Sequence, residues 1–290
     1  MSLSKTLQTP NILSMIVGKS FDEVKDIFMV QGKEYYAENP QESEEIKQNL
    51  ASFGLPSDMD TVKRVQEGII CHYVEKLIPL LGTTAQFAEF IEKRVDFSQV
   101  KDLLTNALQN GPVLIAVSHF GGVECIVHTL AYLKFTVNPV LRFTTQNLSD
   151  QFHSYEQLTR ESGLFAPINF IEIGKPGVKS ASLMLKVLHK NEILFTAFDE
   201  ETSSSKPVKL FNRSVLGGAG LDRLLKFAGN NASVFNAFMI REGKNYRLQL
   251  FPVDIKAENF IQQMYNNLQS VLEKHFEQWY FLHEEIPFAD

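Results

Sequence analysis

The chain is poor in cysteine, in tryptophan and in long apolar runs, and each shortage excludes something. Its 290 residues include two cysteines, Cys71 and Cys125, and one tryptophan, Trp279. Two distant cysteines in no metal-ligand spacing make neither a disulfide framework nor a zinc cluster, and they suit a reducing, cytoplasmic-type compartment. The longest stretch free of Asp, Glu, Lys and Arg covers residues 103–123 and holds two Asn, a Gln, a Pro and three Gly. It therefore reads as a helix end, a loop and a strand, not as a membrane span. Near the N-terminus the best apolar patch, residues 12–17, is interrupted by Ser14 and follows no basic start, so no signal peptide is expected. Positive charge is also lacking. The net charge of −6 argues against nonspecific nucleic-acid binding. It is unevenly placed: residues 21–60 carry ten acidic side chains against three lysines, which leaves the remainder near neutrality.

What is present is a hydrophobic content of 44%, enough for a sizeable core. Residues 10 to 110 read as helical, with a helix start at Ser57-Asp58-Met59-Asp60 and apolar positions at Val62, Val65, Ile69, Ile70, Val74 and Leu77. From Val113 strands and helices alternate. Strands are predicted at 113–117, 136–141, 168–173, 192–198, 232–240 and 245–252, and helices at 122–133, 147–162, 176–190, 217–229 and 257–276. This alternation implies an α/β fold with a mixed, largely parallel sheet flanked by helices, preceded by a helical N-terminal region. The expected division is a helical region over 1–110 and an α/β domain over 111–290. Arg241-Glu242-Gly243-Lys244-Asn245 reads as a hairpin turn between the last two strands.

Three groupings carry possible chemistry. In VLIAVSHFGGVE, residues 113–124, an apolar strand runs into His119, two glycines and Glu124. On a continuous helix His119 and Glu124 would diverge by about 140°. With His119 before the turn and Glu124 in the first helical turn they converge, Gly121 and Gly122 supplying the backbone freedom. Glu124 is then expected to accept the Nδ1 hydrogen of His119 and leave Nε2 as a general base. The second grouping, Asp199-Glu200-Glu201, follows the apolar strand around Ile193-Leu194-Phe195 and reads as an acceptor-binding cluster or a solvated loop. The third comprises Lys206, Lys209, Arg213, Arg223 and Lys226 around Leu216-Gly217-Gly218-Ala219-Gly220, which reads as a helix start suited to a phosphate or as a basic face. A zinc site at His119, Glu124 and His128 is not expected, since there is neither an HExxH motif nor a Cys/His cluster.

These pieces, in order, resemble the lysophospholipid acyltransferase superfamily, and more closely its branch of late lipid A acyltransferases. The family marker, His-x4-Asp/Glu at a strand end, is matched by His119 and Glu124, and the branch features follow. A strand ending in Arg is matched by Val140-Leu141-Arg142, with Asp150 after it and Gln146 or Asn147 in place of an Asn. The acidic turn is matched by Phe198-Asp199-Glu200-Glu201-Thr202, and a Gly-containing helix entry by residues 210–220. A later Arg-ended strand is matched by Ala237-Phe238-Met239-Ile240-Arg241, and a Glu-Gln-Trp…His tail by Glu277-Gln278-Trp279 and His283. The resemblance implies a glycerol-3-phosphate acyltransferase-like fold, His119 and Glu124 as the catalytic dyad, and substrate contacts from Arg142, Asp199, Glu200, Gly218 and Arg241. It implies no cofactor and no metal. The donor is expected to be an acyl thioester, on acyl carrier protein or CoA.

Two departures matter. The branch usually starts with a hydrophobic anchor, and its tail usually continues with Arg, Trp and Lys where this chain has Glu284-Glu285-Ile286-Pro287. Both weaken attachment to an anionic membrane, so membrane contact is expected to be peripheral at most. The acceptor expected is a soluble or carrier-tethered intermediate with a hydroxyl or amine. Two other readings stay open: a thioester hydrolase using the same base, and a non-catalytic acyl-chain or carrier-binding module.

Overall fold

A computed structural model describes residues 2–81, 83–142, 146–174, 180–190, 192–202, 205–218, 221, 225 and 232–289, with the side chains of 78–81, 146–148 and 151 outside the description. Helices come first. α1 (Leu3–Leu7) and α2 (Pro10–Ile16) are short. α3 (Phe21–Glu38) begins at a capping box: the Ser20 hydroxyl accepts from the Glu23 amide, and the Glu23 carboxylate accepts from the Ser20 amide. α4 (Pro40–Ser52) opens on a proline, whose missing N–H costs nothing at that position. α5 (Met59–Leu81) begins after Asp58, whose carboxylate accepts from the Asp60 and Thr61 amides. α6 (Thr84–Arg94) has a second capping box, Thr83 with Gln86.

The sheet region follows as β1 (Val95–Asp96), α7 (Val100–Asn110), β2 (Val113–Gly121), α8 (Val123–Tyr132), β3 (Val137–Leu141), α9 (Gln146–Glu161), β4 (Ile171–Glu172), α10 (Ser180–His189) and β5 (Ile193–Ala197). β6 (Lys206–Leu210), β7 (Arg213–Gly217), β8 (Ser233–Glu242), β9 (Asn245–Val253) and α11 (Phe260–His275) complete it. The tail then makes two short 3-10 turns, Phe276–Gln278 and Tyr280–His283.

The fold is α/β. Seven strands lie in the order β1-β9-β8-β2-β5-β3-β4, all parallel to their neighbours except β9 against β8. β2 is central and buried on both faces, which explains its unbroken apolar run. Leu114, Ala116 and Phe120 pack toward the N-terminal helices, α11 and the tail. Val113, Ile115 and Val117 pack toward α6, α7 and α8. The hairpin turn lies where it was expected, between Glu242 and Asn245, with Gly243 at φ +66°.

Two local expectations change. Val95–Asp96 pairs parallel with β9, so the helical N-terminal region also supplies an edge strand. Residues 206–217, where no strand is expected, form an antiparallel hairpin with Phe211 at φ +52° in its turn. The alternation of exposed Lys209 with buried Val208 and Leu210 is a strand period, and the described Leu221 and Leu225, within the helix expected after the glycines, are helical. Most of the helix predicted over 217–229 lies outside the described residues. Among the described residues no helix is long and apolar enough to cross a membrane.

Candidate active site

β2 and β5 run side by side in parallel, with Val117 opposite Ala197. Two residues further along each strand stand His119 and Asp199, so strand register alone brings them together. The Phe198 amide donates to the Val117 carbonyl (2.9 Å) and carries the pairing past the end of β5. Asp199 then holds His119 twice. Its Oδ2 accepts from the His119 amide at 2.7 Å, and its Oδ1 lies 2.9 Å from His119 Nδ1. A carboxylate can only accept, so the Nδ1 hydrogen points at Asp199 and Nε2 is left without it. The Asp199 side chain is 2% exposed and that of His119 25%, an arrangement of buried carboxylate and accessible imidazole. The position fits the rule that open α/β sheets place ligands beyond the carboxyl ends of their strands.

The carboxylate on Nδ1 is therefore Asp199, and the expected Glu124–Nδ1 contact is not made. Glu124 enters the same cavity from the first turn of α8, and its Oε1 lies 3.9 Å from Nε2 of His72 on α5. Register explains the difference: Asp199 is fixed one strand away, whereas the turn at Gly121 and Gly122 carries Glu124 toward His72. Gly121 has φ +58°, and a Cβ there would stand 1.9 Å from the Met239 carbonyl oxygen. No other residue fits that position.

The remaining predicted residues divide. Glu200 is exposed and its Oε1 lies 3.4 Å from His119 Nε2. Gly218 backs the acidic turn: its amide donates to the Phe198 carbonyl, and a Cβ there would press on the Phe198 and Glu200 carbonyls at 2.9 and 3.0 Å. Arg142 is exposed beside Gly174 and does not line the cavity. The side chains of Gln146 and Asn147 lie outside the described residues. Arg241, read as a substrate contact, is buried behind the site in a two-pronged ion pair with Glu75 (2.7 and 2.8 Å). The Gly122 amide is engaged by the Met239 carbonyl at 2.9 Å. In the basic grouping, Lys209 is exposed on β6 and the Arg213 guanidinium sits over the Phe288 ring, while Arg223 and Lys226 lie outside the described residues.

The cavity has a volume of about 440 Å³. One wall is apolar, made by Leu210, Val215 and Leu216 of the hairpin with Phe281 and Ile286 of the tail; the Phe281 ring centre is 5.0 Å from that of His119. The other surfaces are acidic: Glu124, Asp199, Glu200, Glu201, Glu284 and Glu285 line it, against Lys76 and the two histidines, His72 and His119. Burial works against a charge on His119, but Asp199, Glu200 and Glu124 together outweigh it and raise its pKa to about 9. His72 is fully buried, and desolvation, reinforced by the positive charges of Lys76 and Arg241, holds its pKa well below the usual histidine range. Among the described residues no grouping of His, Cys, Asp or Glu forms a metal site.

His72, Glu75 and Tyr280 were not picked out from the sequence. A signal existed for two of them. The buried face of α5 continues through positions 72 and 75, where a histidine and a glutamate at i, i+3 replace the apolar residues expected, and both are buried. Tyr280 packs at a tilt against His72 with ring centres 4.5 Å apart, and its hydroxyl is 2.8 Å from that of Tyr73.

Compared with known families, residues 20–286 match the model of the bacterial lipid A biosynthesis acyltransferases. No curated protein matches the chain.

Proposed function

The chain belongs to the bacterial lipid A biosynthesis acyltransferase family, a family of acyl-transferring enzymes, and from that premise we propose how it does so. His119 acts as general base, Asp199 orients it, and a fatty acyl group passes from a thioester to a hydroxyl or amine acceptor. The observation that carries this reading is the doubly bonded His119–Asp199 pair, with Nε2 turned away from Asp199 toward a half-apolar cavity, where the exposed Glu200 carboxylate lies 3.4 Å from it. Nε2 takes the proton as the acceptor oxygen or nitrogen attacks the thioester carbonyl. The tetrahedral oxyanion collapses, the C–S bond breaks, and the imidazolium returns its proton to the departing thiolate. Asp199 stabilises the imidazolium, the role of the acid in a serine-hydrolase triad. Oxyanion donors nearest His119 in sequence are the first amides of α8, Val123 and Glu124, which have no intrahelical acceptor by position. The hairpin and tail residues hold the acyl chain.

The acidic lining bears on the acceptor. Six carboxylates against one lysine disfavour a multiply phosphorylated sugar lipid and favour a neutral or amine-bearing acceptor, soluble or carrier-tethered. The donor is carried by acyl carrier protein or CoA, and the site is reached from the cytoplasm with at most peripheral membrane contact.

Thiol release tests the reading. Acyl-CoA and acyl-carrier thioesters of graded chain length are offered with hydroxyl, amine and phosphorylated-sugar acceptors to wild type and to His119→Ala, both checked for fold by circular dichroism. Acceptor-dependent release that falls by about 10²–10⁴-fold in the variant is expected. Release independent of any acceptor would make the protein a hydrolase, and bound acyl chains with no release would make it a binding module.

A further inference from the structure

A charged cluster stands directly behind the catalytic turn, and the proton transfers above do not use it. Arg241, at the end of β8, has a side chain 9% exposed, and Glu75 on α5 has one fully buried. Arg241 Nε donates to Glu75 Oε1 at 2.7 Å. Its Nη2 donates both to Glu75 Oε2 at 2.8 Å and to the Gly121 carbonyl at 2.7 Å. The Tyr246 hydroxyl donates to Glu75 Oε1 at 2.8 Å. The tail closes the ring: Gln278 accepts from the Arg241 amide at 2.9 Å and donates to the Arg241 carbonyl at 3.1 Å. Glu75 of α5 and Gly121 of β2 thus meet on one guanidinium, Tyr246 backs Glu75, Gln278 holds the Arg241 backbone, and one of the guanidinium's bonds ends two residues from His119.

Such a cluster is a poor source of stability. Desolvating two ions offsets most of their attraction, and an apolar pair of similar volume serves a core as well. Its geometry is nevertheless specific. A guanidinium fork fixes direction as well as distance, and the Gly121 carbonyl it grips belongs to the residue whose left-handed backbone turns the chain from β2 into α8. We propose that Arg241, held by Glu75, Tyr246 and Gln278, is a positioning residue: by fixing the Gly121 carbonyl it sets the direction in which the His119 ring leaves the strand and so its alignment with Asp199. This rests on His119 being the base.

The test reads the imidazole itself, so that it stands apart from whether the acyl-transfer reading holds. His119 is faced by Asp199 and Glu200 from beyond β5, Glu124 from α8, His72 and Lys76 from α5, and Tyr280 and Glu284 from the tail. None of these is altered in the two variants. Arg241→Lys keeps the charge but loses the fork; Tyr246→Phe removes one bond to Glu75 and is the milder change. His119 nitrogen-15 shifts are followed against pH in both variants and in wild type, with melting temperature and acyl-transfer rates measured alongside. In folded Arg241→Lys the titration midpoint is expected to move from about 9 toward the ordinary histidine value as the Asp199 contact loosens. kcat is expected to fall at least tenfold with KM for the donor within twofold, and Tyr246→Phe to shift both in the same direction by less. Should Arg241→Lys fail to fold, Tyr246→Phe decides alone. An unchanged His119 titration in the folded variants, with activity tracking only the folded fraction, would overturn the proposal. A shifted titration in a protein that transfers no acyl group would uphold the positioning role and remove the acyltransferase reading instead.

Discussion

At the scale of single residues the site turns on which carboxylate holds His119. Both candidates were visible in the sequence, each just past an apolar strand: residues 113–117 lead to His119, and residues 193–197 lead at the same spacing to Asp199. Motif spacing favoured Glu124, five residues away along the chain. Strand register, which puts Val117 opposite Ala197, favours Asp199, eighty residues away. Pairing between non-adjacent strands was not legible because apolar patterning marks strands without saying which neighbours they take. Glu200 allows a separate check through pH. Only the neutral imidazole accepts a proton, so with a pKa of about 9 the rate rises with pH and levels off above that value. Glu200 helps hold His119 charged; Glu200→Gln is therefore expected to move the rising limb of kcat/KM to lower pH. A limb that stays in place would show that Glu200 does not face the working base.

Secondary-structure elements were read unevenly. β2, α8, β3, β5, β8 and β9 lie close to their expected positions because continuous apolar runs and helical periods are strong signals. The β6–β7 hairpin was not legible because its strands are short and only β6 alternates clearly between exposed and buried positions. α5 was recognised as a helix, but its buried His72 and Glu75 passed unnoticed, since a polar residue on an apolar face has no meaning until its partner arrives from another element. That partner, Arg241, ties α5 to β8. Glu75→Ala would leave a buried guanidinium without its counter-ion, and a loss of about 3–5 kcal/mol in stability is expected, measured by urea unfolding. A change under about 1 kcal/mol would show that water reaches Arg241 and that α5 and β8 are not joined as described.

For the molecule as a whole, the α/β class with its helical N-terminal region was legible, and so was the family, because several weak motifs fell in one order along the chain. What the order could not convey was how the tail is used. Gln278 locks Arg241, Phe281 packs against His119, and Glu284 and Glu285 add charge to the cavity wall, so the last fifteen residues complete a site begun at residue 119. The whole assembly serves one central claim, that Asp199 aims and charges His119 as the base of acyl transfer. The most direct measurement is kcat/KM against pH for acyl transfer by wild type beside Asp199→Asn. Wild type is expected to rise to a limb near pH 9, and the variant to be about 10²–10⁴-fold slower with its limb displaced toward lower pH. A folded Asp199→Asn protein with the rate and the pH profile of wild type would contradict it.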